Sequence, residues 1–346
     1  MFDRGAGRFN FRLRRNRSGI LPEGHSDRYT AITLLGLARE DPEHVRGVLH
    51  GSEPGPVWRA LAERVATSPS LGDTALTLWA GVGLGEGDRE RLVRRLLDLA
   101  PTEGAHPTVQ LAWTLSALVV DTEASVGDLR QRIASRLLSA ATDSGAFVHI
   151  VGHGLGARGH VACFADLVYP IQALSLYAES TGDSLAKVAA RRAAELILRR
   201  QGKAGQWWWH YDVRTGDVVE GYPVYAVHQD AMAPMALIAA TRATGLDTTE
   251  GIDRGLDWLE SSPELEGGSL VDEAAGLIWR KVARREPRKL SRSLQAAATR
   301  LHPRLRAPGL DRLFPPVAVD YEDRPYHLGW LLYAFPPRGC ADERRS

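Results

Sequence analysis

Two kinds of helical segment alternate along this chain, and the alternation restricts the fold more than any other feature. The first kind is apolar on all sides: ALTLWAGVGL from Ala75, VQLAWTLSALVV from Val109, VYPIQALSLYA from Val168, AMAPMALIAA from Ala231 and YHLGWLLYAF from Tyr326. The second is amphipathic with an arginine face: RERLVRRLLDLA from Arg89, DLRQRIASRLLSA from Asp128 and AKVAARRAAELILRR from Ala186. A helix apolar all round must be buried all round, and one with a charged face lies at the surface. Strict alternation therefore puts one set inside and the other outside. The spacing predicts helices over 28–39, 55–68, 71–84, 88–99, 107–121, 124–141, 162–180, 184–200, 226–244, 250–261, 269–281, 286–301 and 325–335. About six inner–outer pairs closing into a ring make an all-α, (α/α)6-type toroid. An open solenoid of the HEAT or tetratricopeptide kind is the alternative, but no fixed repeat period is present.

A ring of hairpins accounts for 346 residues without a linker. The expected division is a basic arm over 1–24, one toroid domain over 25–338 and a tail over 339–346. Connections from inner to outer helices are short, as in GLGEGD from Gly83. Those from outer to inner helices are long: Asp143 to Val161, Gln201 to Val227 and His302 to Arg324. All of the latter fall at one end of such a ring, and long loops in compact domains are usually functional.

Lys+Arg 43 against Asp+Glu 42 leaves a net charge of +1, so no global footprint for nucleic acid or an anionic membrane exists. The two cysteines, Cys163 and Cys340, make no disulfide framework or CxxC metal motif. Apolar runs reach about ten residues where a membrane span needs about 20. Met1 to Ile20 is arginine-rich without an apolar signal region. A soluble cytoplasmic protein with no membrane span is expected. Its oligomeric state is not legible. Arg4, Arg8, Arg12, Arg14, Arg15 and Arg17 read as a solvated leader or an edge segment, with a phosphate or nucleic-acid contact as the alternative. The run RKVARREPRKLSR from Arg280 reads as a solvated face, with docking of an acidic partner as the alternative.

The loop Gln201–Asp230 gathers Trp207, Trp208, Trp209, His210, Tyr211, Tyr222, Tyr225, His228, Gln229 and Asp230. Histidine is the usual general base near neutral pH. His210 and His228 are therefore the candidate bases and Tyr222 or Tyr225 the acid. Asp230 and Asp166 would orient them or act as a carboxylate pair. Trp207, Trp209, Tyr211 and Gln229 are candidate substrate contacts. The loop His149–Asp166 holds His149, His153 and His160, and His153 and His160 join the substrate-binding set. Its lone GxGxxG (Gly154, Gly156, Gly159) lacks a βαβ setting and reads as glycines that let the backbone bend near a ligand. The starts of other inner helices supply Arg28, Tyr29, Tyr169, Asp320, Tyr326 and His327. Converging helix N-termini, with Arg28, Arg158 and Arg324, suit an anionic small-molecule substrate. No metal and no cofactor is expected.

Gln201, Gly205 and Trp207 give Q-x-x-x-G-x-W after an outer helix. This resembles the QW motif of the terpene cyclase and protein prenyltransferase toroid superfamily, where the Gln and Trp tie an outer helix to the next inner one. The resemblance covers about twenty residues and implies the ring. The DxDD or DxDTT acid motif of class II cyclases is missing: Asp247-Thr248-Thr249 follows Gly245 and Leu246, at the other end of the ring. The prenyltransferase Asp/Cys/His zinc set has one counterpart cluster, His160, Cys163 and Asp166. The layout also resembles six-hairpin glycosidases, sugar 2-epimerases and uronate lyases, which use His, Tyr, Asp or Glu for proton transfer and Trp for stacking on sugars. Three functions follow as expectations. The first is acid/base chemistry on a carbohydrate or uronate-type substrate. The second is a terpenoid cyclase-like reaction in an aromatic cavity, with Asp166 or Asp230 as acid. The third is a non-catalytic toroid that binds a partner protein.

Overall fold

The computed structural model describes residues 1–122, 126–152, 156, 158–266 and 268–337. His153 and Cys340, named above, lie outside them. The chain opens with β1 (Phe2–Asp3), β2 (Arg8–Asn16) and β3 (Gly19–His25). Helices α1 (Asp27–Leu37), α2 (Pro42–Val48), α3 (Pro54–Val65), α4 (Leu71–Leu84) and α5 (Glu90–Asp98) follow. Strand β4 (His106–Pro107) leads into α6 (Thr108–Val120) and α7 (Gly127–Ala140). Strands β5 (Ile150–Val151) and β6 (Val161–Cys163) precede α8 (Ala165–Thr181) and α9 (Ser184–Arg200). After β7 (His210–Asp212), β8 (Val218–Glu220) and β9 (Val224–Tyr225), a π-helical turn at His228–Met232 opens α10 (Ala233–Thr244), and α11 (Thr249–Glu260) follows. Then come β10 (Val271–Asp272), β11 (Leu277–Ile278), β12 (Lys281–Ala283), α12 (Leu290–Leu301), α13 (Leu310–Leu313), β13 (Ala318–Asp320), β14 (Glu322–Asp323) and α14 (Pro325–Ala334). Helix makes up 54% of the described residues, which keeps the chain in the helical class despite these short strands. Among the described residues no helix is long and apolar enough to cross a membrane.

The chain forms two compact units. The first is Met1–Gly104, Trp113–Ile133 and Glu322–Ser346; the second is Ala105–Ala112 and Ala134–Tyr321. In the first, the apolar helices α1, α4 and α14 are the interior. Helix α1 starts at Ser26, whose side chain accepts from the Tyr29 N–H, and buries every residue from Thr30 to Leu37. It meets α14 backbone to backbone: a Cβ on Gly36 would lie 2.2 Å from the Gly329 carbonyl oxygen, and one on Gly329 2.3 Å from that of Ile32. No side chain fits there, so α1 and α14 pack closely through their glycines. Trp79, Trp330 and Tyr333 fill the space beside them with ring centroids 5.3–5.9 Å apart. The amphipathic helices lie outside. Helix α3 buries Val57, Trp58, Leu61 and Val65, and α5 buries Leu92 and Leu96.

Residues 1–24, expected as a basic arm, fold into this unit as an antiparallel sheet. Strand β2 pairs with β1, β3 and β14. Its arginines have carboxylates to meet: Arg12 binds Glu23 at 2.6 Å, and Arg12, Arg14 and Arg324 all grip the buried Glu322. Its apolar side chains have rings to meet: Phe9 is buried and Phe11 stacks on Tyr29 at 5.4 Å.

In the second unit α8 and α10 are buried and α9, α11 and α12 each bury one face. The long connections are not bare loops. They pair into small antiparallel sheets, β6–β7–β8, β13–β12–β9 and β4–β5. The helix expected over 269–281 is absent. That stretch is the hairpin β10–β11 followed by β12. Gly276 takes φ 62° in its turn, Ala275 donates to the Asp272 carboxylate, and Leu270 and Trp279 are buried side by side at its base. The apolar residues that mimic helical spacing are the two arms of that hairpin.

The Gln201–Gly205–Trp207 stretch docks α9 on α11. Gln201 Nε2 donates to the carbonyls of Gly205 (2.9 Å) and Gly251 (2.8 Å). Gly205 takes φ 96° against the Arg254 carbonyl, where a Cβ would sit 1.9 Å away. Trp207 is fully buried, and its N–H donates to Gln229 Oε1 at the head of the next inner helix. Asp247 in the α10–α11 turn accepts from the Thr249 N–H, a helix-cap role.

Candidate active site

The second unit collects most of the candidate side chains of the two histidine-rich loops around the β6–β7 ladder. Phe164 N–H donates to the Trp209 carbonyl at 2.9 Å, and Cys163 stands opposite His210. Opposed residues of an antiparallel pair point to the same face, so Cys163 and His210 share one. Asp166, in the first turn of α8, is fully buried and accepts from the Cys163 N–H at 2.8 Å. The same carboxylate holds His149 Nδ1 at 2.9 Å. His149 is 54% exposed in its side chain, so Nδ1 is fixed inward and Nε2 is left to work outward. Asp166 raises the imidazole pKa above its ordinary value, by hydrogen bond and charge, against smaller opposing effects of burial and Arg158. A buried carboxylate orienting a half-exposed imidazole is the arrangement general acid/base chemistry needs.

Beside this pair lies an aromatic floor. Trp209 and His228 stack at 5.4 Å and 10°, and Tyr225 packs on both, at 4.8 and 5.0 Å. Phe164 backs His228 at 4.6 Å. Trp209 stays partly exposed, as a platform for a flat apolar sugar face requires. His228 sits on the π-helical turn, where Ala233 N–H reaches back five residues to the His228 carbonyl. Such turns recur at functional sites. Asp230, on the same turn, is buried.

The rim is cationic. Arg292 lies over the Trp209 ring at 6.0 Å, and Arg280 and Lys281 lie over Tyr225 at 5.2 and 5.3 Å. His210 is buried, and its Nδ1 has no protein partner. Burial, then the charges of Arg292, Arg158 and His149, push it down to about 2, so it is a neutral imidazole throughout the physiological range. His210 therefore offers a hydrogen bond and not a charge. His149, Cys163 and Asp166 have donor atoms within 4.8 Å of one another and are the described residues that could hold a metal ion. The arginines nearby oppose a cation there, and Asp166 is already spent on His149 and the backbone.

Several expected contacts are placed elsewhere. Trp207, Tyr211 and Gln229 are interior residues: Gln229 spends its amide on the Trp207 and Tyr225 backbone, and Tyr211 stacks on Phe164. His160 is fully buried with Nε2 on Thr299 Oγ1 at 3.1 Å. Tyr222, expected as an acid, donates to Glu264 at 2.8 Å under Arg284; burial and Glu264 raise its pKa far above the range of a neutral-pH acid. Tyr169 is buried on α8. Asp320 pairs with Lys281 at 3.0 Å and Arg280 at 3.4 Å. In the first unit, Arg28 pairs with Asp73 at 2.6 Å, Arg324 donates to Tyr29 at 2.8 Å, Tyr29 packs on Tyr326, and His327 is buried. The geometry adds two candidates, His149 and Arg292. Sequence alone does not single out His149, which lies seventeen positions before Asp166, and Arg292 sits in a run that reads as a solvated face.

No family model matches this chain, and no curated protein matches its sequence. Solved structures do match. The unsaturated glucuronyl hydrolase of Bacillus sp. GL1, responsible for the degradation of glycosaminoglycan, superposes with a TM-score of 0.58 over 95% of this chain and 90% of that one, at 12% identity. A sugar epimerase from a ruminal bacterium gives 0.57 over 91% and 88%, also at 12%. A family 105 glycoside hydrolase of C. acetobutylicum gives 0.54 over 89% and 92%, again at 12%. The chain has the α/α-toroid fold. Within that toroid the QW-type stretch is a structural tie between neighbouring hairpins.

Proposed function

We propose that this toroid is an enzyme that carries out acid/base chemistry on a carbohydrate or uronate-type substrate, as a hydrolase, epimerase or lyase. The observation that carries the reading is His149, oriented by the buried Asp166, which also raises its pKa, beside the Trp209–Tyr225–His228 floor. A sugar ring stacks on Trp209. His149 Nε2 passes a proton to or from the ring, while Asp166 fixes Nδ1 and offsets the charge. His210 supplies a neutral hydrogen bond in a dry wall. The cationic rim favours an anionic sugar, in keeping with neighbours named as glucuronyl hydrolases. The terpenoid alternative draws on an aromatic-lined cavity and on the QW-type stretch; that stretch ties helices together here and leaves Trp207 buried.

The test is turnover of a panel of free uronates and uronate-terminated disaccharides, followed by proton NMR in deuterated water. Turnover or ring-proton exchange is expected, falling about 10²–10⁴-fold in His149→Gln, the usual worth of a positioned acid/base group. Unchanged turnover in that variant, or reaction with prenyl diphosphates and no sugar, overturns the reading.

A further inference from the structure

Many arginines of this chain are matched to carboxylates, and others, such as Arg95 and Arg254, to backbone carbonyls. Arg28 has Asp73, Arg89 has Asp121, Arg200 has Asp217, Arg280 has Asp320 and Arg284 has Glu220. One guanidinium can cover one carboxylate, although Glu322 takes three: Arg214 meets both oxygens of the buried Asp212, with Nε at 2.9 Å and Nη2 at 2.6 Å. Arg158 and Arg292 depart from the pattern. Among the described residues neither has a carboxylate within ion-pair distance. They stand close enough for their charges to repel. Arg292 lies over the Trp209 platform with a buried Nε that has no partner, and the buried His210 Nδ1 beside them is also unpartnered. The buried Arg292 Nε and His210 Nδ1 are costly to leave unpaired, and a negative group held by Arg292 and the more exposed Arg158 would satisfy them.

We propose that Arg158 and Arg292 bind a phosphate monoester carried by the sugar that stacks on Trp209. The inference rests on the carbohydrate reading of this site and names the group that reading leaves open. A lone carboxylate has one charge and two oxygens, which one arginine satisfies. A phosphate monoester carries about −1.5 to −2 at pH 7 and three acceptor oxygens, which matches two planar donor forks. Arg158, the more exposed, takes the outer oxygens. Arg292 takes an inner one with the face of Trp209 against it, and His210 can complete the shell. The dianion also faces His149 and favours its protonated form.

Isothermal titration of the full chain tests this without any need for turnover. The probes are a hexose 6-phosphate, the matching free hexose, the matching hexuronate, a hexose sulfate and inorganic phosphate. The hexose phosphate is expected to bind at least about 10-fold more tightly than each of the others, since a hydrogen bond to a charged group is worth about 1.5–3 kcal/mol, or about 10–100-fold. Its binding should strengthen as pH rises through about 6, the second phosphate pKa. Arg158→Gln and Arg292→Gln should each erase most of the preference, with thermal midpoints unchanged to show that both variants fold. Arg292→Lys should recover part of it. Equal or tighter binding of the hexuronate or hexose sulfate overturns the phosphate assignment and leaves the carbohydrate pocket standing. Inorganic phosphate binding as well as the sugar ester, or retention of the preference in the double Gln variant, also overturns it.

Discussion

Two arginine-rich segments of this chain look alike in sequence and do different work. The first, Arg4 to Arg17, becomes strand β2 and its flanks, and its inward arginines close on Glu23 and Glu322. The second, Arg280 to Arg292, turns inward at three successive points. Arg280 and Lys281 cover Tyr225, Arg284 meets the buried Glu220, and Arg292 covers Trp209. The first reads from sequence as a solvated leader or an edge segment, and the second as a solvated face. What separates Arg292 from the others is the partner: Arg280 and Arg284 lie over rings but also meet carboxylates, whereas Arg292 lies over Trp209 with no carboxylate within ion-pair distance among the described residues. Composition does not distinguish these cases; the identity of the opposing atom does.

The comparison is sharpest at Arg284. Its side chain and Glu220 are 6% and 2% exposed, so Arg284→Ala strands a buried carboxylate whose pKa burial already raises. About 3 kcal/mol of unfolding free energy should be lost, measured by urea denaturation at neutral pH. A loss below about 1 kcal/mol would mean that Glu220 takes up a proton at little cost. Arg14→Ala in the first segment should cost less, about 0.5–1 kcal/mol, because Arg14 is 41% exposed and Glu322 keeps Arg12 and Arg324. A larger loss would make the basic segment a keystone and break the distinction. The smallest effect belongs to the partly exposed His149–Asp166 pair. Its histidine pKa is raised on folding, so its contribution is fully present below about 6.5 and is lost as pH rises through the folded value. Thermal midpoints of the parent and His149→Gln should therefore differ most in acid and converge in alkali. Divergence in the opposite direction would show that Asp166 does not hold the proton-bearing ring.

The helical skeleton was legible because burial on all sides leaves its mark in sequence; α4, α8 and α14 lie within a few residues of their expected bounds, and so does α10 once its π-helical turn is counted. Strands were read poorly. Phe9, Phe11 and Leu13 alternate with Arg8, Asn10, Arg12 and Arg14, a period of two that announces β2, yet the charges drew attention to solvation. In residues 269–281 the apolar positions fit a helix and a hairpin equally, and only the positive φ of Gly276 decides. At the site, Asp166, Trp209, Tyr225, His210 and His228 were legible as a cluster of chemistry-bearing types. The division of labour among them was not. His160 and Tyr222 are the same residue types as His149 and Tyr225, and only tertiary neighbours send one pair to structural bonds, leave His149 half-exposed and pack Tyr225 into the aromatic floor.

The wide turn at His228–Met232 has a consequence for how such a site can change. A π-turn holds one residue more than the α-helical turn it replaces, and one residue is about 100° of helix rotation. The segment before it is thus set at a different angle from the apolar body of α10, whose packing against α8 is untouched. Lengthening or trimming that single coil would swing His228 away from Trp209 while every interior contact downstream stayed in register. Chemistry and support are joined at this point by one buried coil, whose Gln229 ties it to Trp207 and Tyr225, so re-aiming His228 means giving up those ties.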